Sequence, residues 1–150
     1  MRGWLLDTNV VAELARQNGD PAVTGWSDDQ PEECLYLSIL TLGEYDKGLA
    51  NLPADAPGRG RIEAAVAALE VRFAGRILSL EDTIVRRWSR ISGRIKRGTG
   101  RSPPVVDTLL AATAIEHDLH LATRNVKDVA DSGASIFNPW TDDPARYPIT

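Results

Sequence analysis

The sequence predicts an α/β fold, a central and mainly parallel sheet of about five short strands flanked by helices. Three observations lead there. Short apolar runs ending in polar residues alternate with longer stretches whose apolar residues recur every three or four positions. Neither an internal repeat nor a low-complexity linker interrupts that alternation. The length, 150 residues with 43% hydrophobic content, suits a single domain able to bury roughly 70% of its unfolded surface.

The elements follow in order. Trp4-Leu5-Leu6 is a buried strand ending at Asp7, and Thr8-Asn9 caps a helix whose face is Val10, Val11, Leu14 and Ala15. Asp20-Pro21 starts a short helix over 21–28. Leu35-Tyr36-Leu37 is the next strand, and Ser38 caps a helix over 39–49. After a loop marked by Asn51-Leu52-Pro53 and Pro57-Gly58, the stripe Ile62, Val66, Leu69 and Phe73 describes an amphipathic helix. Ile77-Leu78-Ser79 reads as a brief edge strand.

Ile84, Trp88, Ile91 and Ile95 form the buried stripe of a further helix, with Arg87, Arg90, Arg94 and Arg97 on the opposite side. Ser102-Pro103-Pro104 opens another helix through about Asp118, offering Val106, Leu109, Leu110 and Ala114 to the core. Leu121-Ala122-Thr123 and Ser135-Ile136-Phe137 are the last strands, and residues 138–150, with three prolines, form an extended surface tail.

Composition excludes several classes. One cysteine, Cys34, rules out an internal disulfide and a four-cysteine zinc site. His117 and His120 lack a third ligand nearby, and neither GxGxxG nor GxxxxGK[ST] occurs. No stretch approaches the ~18 apolar residues of a membrane span, and an acid at position 7 interrupts any signal-peptide core. A cytoplasmic protein is expected. The formal charge of −4 conceals an asymmetry: residues 86–101 hold seven of the 17 basic residues and no acid, a +7 segment. The remaining ten bases and 21 acids come to −11. A local basic face of this kind can hold a polyanion despite an acidic whole.

Functional groups of a parallel sheet gather past the carboxyl ends of its strands. Asp7 follows the first strand; Ser38, Thr41 and Glu44 follow the second; Asp107 lies one turn inside the helix from Pro103; Thr123, Arg124 and Asn125 follow the fourth strand. Converging carboxylates repel one another unless a cation lies between them, and oxygen ligands favour Mg²⁺ or Mn²⁺. Taken singly, each acid has an ordinary explanation as a helix cap, a solvated side chain or a dipole partner.

These segments resemble a known family. Leu5-Leu6-Asp7-Thr8-Asn9-Val10-Val11 and Leu37-Ser38-Ile39-Leu40-Thr41-Leu42-Gly43-Glu44 are similar to the first two motifs of PIN-domain ribonucleases. Val106-Asp107-Thr108-Leu109-Leu110-Ala111-Ala112-Thr113-Ala114 resembles the third, and Ala122-Thr123-Arg124-Asn125-Val126-Lys127-Asp128 with Phe137-Asn138-Pro139-Trp140 resembles the closing segment of VapC toxins, especially the FitB-like branch. The resemblance runs from residue 3 to about 140. It implies a single PIN-like domain and a metal-dependent endoribonuclease, the toxin of a type II toxin–antitoxin pair, hydrolysing RNA with metal-activated water.

Carried over motif by motif, the resemblance makes Asp7, Glu44 and Asp107 the catalytic, metal-binding acids. Ser38 or Thr41 gives hydrogen-bond support, with Asn9 and Thr108 as close neighbours. The family's fourth acidic position falls on Asn125, a departure that Asp128 can offset. Arg87, Arg90, Arg94, Arg97 and Arg124 are the candidate RNA contacts. The implied partners are a small VapB/FitA-like antitoxin, through which alone DNA would be bound, and a second copy forming a homodimer. The competing readings are a PIN-like binding module with weak or no nuclease activity, and a phosphatase or DNA nuclease using the same acids.

Overall fold

The short apolar runs form the sheet. In the computed structural model, which describes all 150 residues, the strands are β1 (Trp4–Leu6), β2 (Leu35–Ser38), β3 (Ile77–Leu78), β4 (His120–Ala122) and β5 (Ile136–Phe137). They pair in the order β3-β2-β1-β4-β5, every neighbour parallel. Seven α-helices connect them: α1 (Thr8–Ala15), α2 (Pro21–Asp29), α3 (Ile39–Ala50), α4 (Arg59–Arg72), α5 (Asp82–Thr99), α6 (Val105–Glu116) and α7 (Val126–Val129). This is the α/β architecture expected from the sequence.

Alternation along each strand sorts side chains between two cores. Trp4, Leu6, Leu35, Leu37, Ala122 and Phe137 face α1 and α2, meeting Val10, Val11, Val23 and Trp26. Leu5 and Leu121 face the other way, onto Leu110, Ala111 and Ala114 of α6. On the outer side of α6, Ala112 receives Ile84 and Ile91 of α5. Gly100, in the left-handed region at φ 78°, closes α5 by donating its N–H to the Lys96 carbonyl at 2.8 Å.

Four local expectations are corrected. The α1 cap is Asp7, not Thr8-Asn9, because Asp7 leaves β1 in an extended conformation and its carboxylate accepts the Thr8 N–H. The α4 stripe is half-buried, with full burial reached at Phe73 just past the helix end. Val106, expected in the core, is exposed, because the first turn of α6 lines an open cavity and leaves Val106 in its wall. The tail from Asn138 is not a loose extended segment. It turns through a 3-10 helix at Pro144–Arg146, packs Trp140, Tyr147 and Ile149 against the core, and ties Thr150 N–H to the Met1 carbonyl at 2.9 Å.

Gly3 shows how tightly β1 and β2 meet. A Cβ there would lie 2.3 Å from the Cys34 carbonyl oxygen, and backbone cannot move aside as a side chain can. Gly3→Ala is therefore expected to destabilise the protein by about 3 kcal/mol, read as a lower urea midpoint.

Candidate active site

The strand order places β1 at the centre, with the chain first running outward through β2 and β3 and then returning to β4 and β5. The crevice at that reversal, beyond the carboxyl ends, is where this topology seats ligands. Asp7 stands there, buried at the end of β1. Glu44 comes from the second turn of α3, Asp107 from the first turn of α6, and Asn125 from the turn after β4. Asp7, Thr8, Asn9, Glu44, Asp107 and Asn125 line one open cavity of about 460 Å³, closed on its apolar side by Ala12 and Val106. Three of these liners are acids and none is a cation.

Hydrogen bonds fix the first acid. Asp7 accepts the Thr8 N–H at 2.7 Å on Oδ1; on Oδ2 it accepts the Thr123 hydroxyl at 2.8 Å and the Asn9 amide at 3.3 Å. Thr8 donates through Oγ1 to Glu44 at 3.2 Å and lies 3.2 Å from the Thr41 hydroxyl, so it links α1 to α3. Asp107 accepts no such donor. It faces like charge instead, from Asp7, from Asp128 beside it and from Glu44.

The resulting electrostatics are those of crowded negative charge. Burial raises the Asp7 pKa, opposed by the hydrogen bonds from Thr123 and Thr8. Burial and the Asp7 charge raise that of Glu44, opposed by Thr8 and Lys47. Asp107 is pushed up to about 6 by burial first, then by the charges of Asp7, Asp128 and Glu44 and by its contact with Asp128. A donor set of carboxylate, hydroxyl and amide oxygens with uncompensated charge fits a hard divalent cation. No three acidic, histidine or cysteine side chains close around a single point, so an ion held by these acids would retain water.

The other sequence candidates separate. Thr41 is buried and touches the site through Thr8. Ser38 is spent on the α3 N-terminus, accepting the Leu40 N–H at 3.0 Å, and Thr108 donates to the Pro104 carbonyl at 2.5 Å. Asn125 lines the cavity without negative charge, and Asp128 supplies a fourth carboxylate beside Asp107 from α7. Of the arginines, Arg87 is paired with Glu116, and Arg94 donates to the carbonyls of Asp131 and Ser132. Arg90 and Arg97 are exposed and lie outside every ion pair.

Two residues outside the assigned site set prove central: Thr8, read from the sequence only as a helix cap, and Thr123, read only as a polar residue at the end of the fourth strand. Nothing local distinguishes Thr123; pairing of β4 beside β1 is what brings its hydroxyl to Asp7. Thr123 also accepts the Asn125 N–H at 3.0 Å, so it ties two sides of the cavity together. Thr123→Val removes a buried hydrogen bond to a carboxylate. It is expected to cost about 1.5–3 kcal/mol in urea unfolding and about 10–100-fold in Mn²⁺ affinity by titration.

This sheet order and this acidic crevice define a PIN domain, and the chain belongs to that family: the PIN domain model matches residues 4–129. Within the family it falls in the VapC group, beside FitB-like members. It is 35% identical over 139 residues to the VapC ribonuclease Y4jK of Sinorhizobium fredii, covering 91% of this chain and 96% of that one. It is 33% identical over 138 residues to toxin FitB of Neisseria gonorrhoeae, covering 92% and 99%. Among solved structures, FitAB bound to the IR36 DNA fragment superposes with a TM-score of 0.81 at 31% identity, covering 93% of this chain and 97% of that one.

Proposed function

We propose that the protein is a metal-dependent endoribonuclease and the toxin of a type II toxin–antitoxin pair. The observation that carries this is the convergence of Asp7, Glu44 and Asp107 on one cavity with no cation in its lining, where Lys47 only partly offsets the charge of Glu44. Those three would hold Mg²⁺ or Mn²⁺, with Asp128 contributing from beside Asp107. A divalent ion bound there supplies a water nucleophile at neutral pH and offsets charge on the phosphate and leaving oxygen.

The chain's own residues set the rest. Thr8 and Thr123 hold Glu44 and Asp7 in place. Val106 and Ala12 form the apolar side of the cavity. Arg90, Arg97 and Arg124 stand exposed for phosphates along the strand, and Arg94, bonded only to carbonyls, keeps its charge, while that of Arg87 is offset by Glu116.

The relatives support the biological role. One is named a ribonuclease and another a toxin, and the FitAB complex was solved on DNA. The partner proposed here is accordingly a VapB/FitA-like antitoxin, with DNA reached through it, alongside a homodimer. No helix is long and apolar enough to cross a membrane, which accords with a cytoplasmic toxin. Asn125 at the fourth acidic position favours the alternative of a binding module with little nuclease activity; Asp128 against Asp107 counts against it.

The test is incubation of the protein with total RNA, with Mn²⁺ or Mg²⁺ and with EDTA. Cleavage that needs the metal and leaves 5′-phosphate and 3′-hydroxyl ends is expected. Ends bearing a 2′,3′-cyclic phosphate would show attack by the ribose hydroxyl and overturn the mechanism. Binding to an antitoxin–DNA complex without any cleavage would favour the alternative.

A further inference from the structure

Arg124 is anchored at the rim of the acidic cavity. It follows Thr123, which holds Asp7, and its own N–H donates to the Asn9 side-chain oxygen at 3.2 Å. Its backbone thus adjoins Asn9 and Asn125, which line the acidic cavity, and an arginine side chain starting there is long enough to pair with a carboxylate in a bidentate fork. Arg124 makes no ion pair, and its guanidinium carbon lies 4.9 Å from the centre of the Trp140 ring.

That ring is itself held by the C-terminal segment. The Trp140 backbone N–H donates to the Asn138 side-chain oxygen at 3.0 Å, and the Asn138 backbone N–H donates to Asp142 Oδ2 at 2.8 Å. Tyr147 donates its hydroxyl to the same Asp142 oxygen at 3.2 Å, while its ring packs edge-on against Phe137 at 5.0 Å. Residues 138–147 thus form a clasp that holds the half-buried Trp140 ring under the Arg124 guanidinium.

We infer that Trp140 is a positioning residue, holding the Arg124 guanidinium outside the carboxylates so that Arg124 meets a backbone phosphate of bound RNA next to the scissile one. This rests on the ribonuclease reading. A cation–π contact contributes about 0.5–1 kcal/mol at an exposed site, enough to choose between rotamers of one arginine without sealing it from a phosphate. Planar guanidinium also binds phosphate in a forked geometry while stacked, which a lysine cannot do.

The test uses the full chain and two readouts. The first is binding of a mixed-sequence single-stranded RNA in EDTA over a salt series, with KM and kcat measured on total RNA in Mn²⁺. Arg124→Ala is expected to weaken binding and to lower the slope of log Kd against log salt by about 0.7, one phosphate contact. Trp140→Leu is expected to raise Kd and KM about 3–10-fold with kcat retained, and Trp140→Phe to stay within about twofold of wild type. The second readout is Mn²⁺ affinity of the RNA-free protein. With the ring gone, Arg124 falls onto the carboxylates, so Trp140→Leu is expected to bind Mn²⁺ about 3–10-fold more weakly, and Arg124→Ala in the same chain to restore the affinity.

Thermal melts check folding of each variant. If Trp140→Leu is unfolded, Arg124→Lys carries the test: it keeps the charge and salt slope but loses the stacked fork, so Kd should rise about 2–5-fold. Unchanged RNA affinity in Arg124→Ala overturns the phosphate role, and unchanged Kd and Mn²⁺ affinity in folded Trp140→Leu overturns the positioning role. Wild-type protein that neither binds nor cleaves RNA overturns the ribonuclease reading itself, and the Mn²⁺ arm then still decides whether Trp140 keeps Arg124 off the acids.

Discussion

Asp107→Asn is expected to reduce metal-dependent RNA cleavage on the order of 10³-fold, while the same variant melts about 2–4 °C higher than wild type in EDTA at pH 7.5. Both effects have one origin. Asp107 accepts no protein hydrogen bond, and it faces Asp7, Asp128 and Glu44. A neutral amide removes a negative charge that the metal-free fold pays to hold, and it removes the charge that a cation requires. The stability gain is set at about 1 kcal/mol because solvent screens a half-exposed carboxylate.

Asp7→Asn separates the two effects. Asp7 accepts from Thr8, Thr123 and Asn9, so an amide there turns an N–H₂ toward donors and loses hydrogen bonds. It is expected to be as inactive as Asp107→Asn yet no more stable than wild type. Activity retained in both variants would remove the acids from the mechanism.

The sign of the pH dependence follows. Asp107 has a folded pKa of about 6, above its ordinary 3.8, so the fold favours its protonated form. Its stabilising contribution is fully present below pH 3.8 and is lost as pH rises through 6. The excess stability of Asp107→Asn in EDTA should therefore be largest above pH 7 and vanish near pH 4. Equal differences in urea midpoint at pH 4 and pH 7.5 would show that the variant acts by packing.

The sequence made some of this visible and left the rest hidden for identifiable reasons. The strands were legible because three-residue apolar runs ending in Asp7, Ser38 or Thr123 have few other readings, and the acids because each follows a strand or opens a helix. Periodicity, however, reports which side of a helix is apolar and not how deep it goes. Val66 and Leu69 of α4 stay half-buried, and Leu69 reaches the margin of the main core beside Val11 and Leu14 of α1 and Tyr45 of α3. Charge counting has a similar blind spot. The +7 segment is real, but Arg87 finds Glu116 29 residues on, and Arg94 finds backbone carbonyls beyond that. Proline content made the tail look loose; Trp140 and Tyr147, which fold it, were the stronger signal.

Trp4→Ala is expected to cost about 3–5 kcal/mol, a large share of the roughly 5–15 kcal/mol that holds a domain of this kind together. Trp4 lies on the central strand and is almost wholly buried. Its ring meets Trp26 edge-on at 5.1 Å, Phe137 at 4.8 Å and His120 at 4.9 Å, so it joins α2, β5 and β4 across one core. Its indole N–H donates to the Gln30 side chain at 3.0 Å, a partner that alanine leaves stranded. Trp4→Phe keeps an aromatic ring and loses that bond and some volume, so about half the cost is expected. Urea unfolding with an unchanged slope is the measurement, and a loss below about 1 kcal/mol in Trp4→Ala would show that the aromatic cluster repacks around the gap. The consequence reaches the site, because Leu6 pairs with Ala122 just before Asp7 and Thr123 leave their strands. Among molecules that remain folded, the 2.8 Å bond from Thr123 to Asp7 is preserved by that pairing and not by the indole. Trp4→Phe should therefore lower the midpoint while leaving Mn²⁺ affinity intact, the reverse of what Thr123→Val does in relative terms.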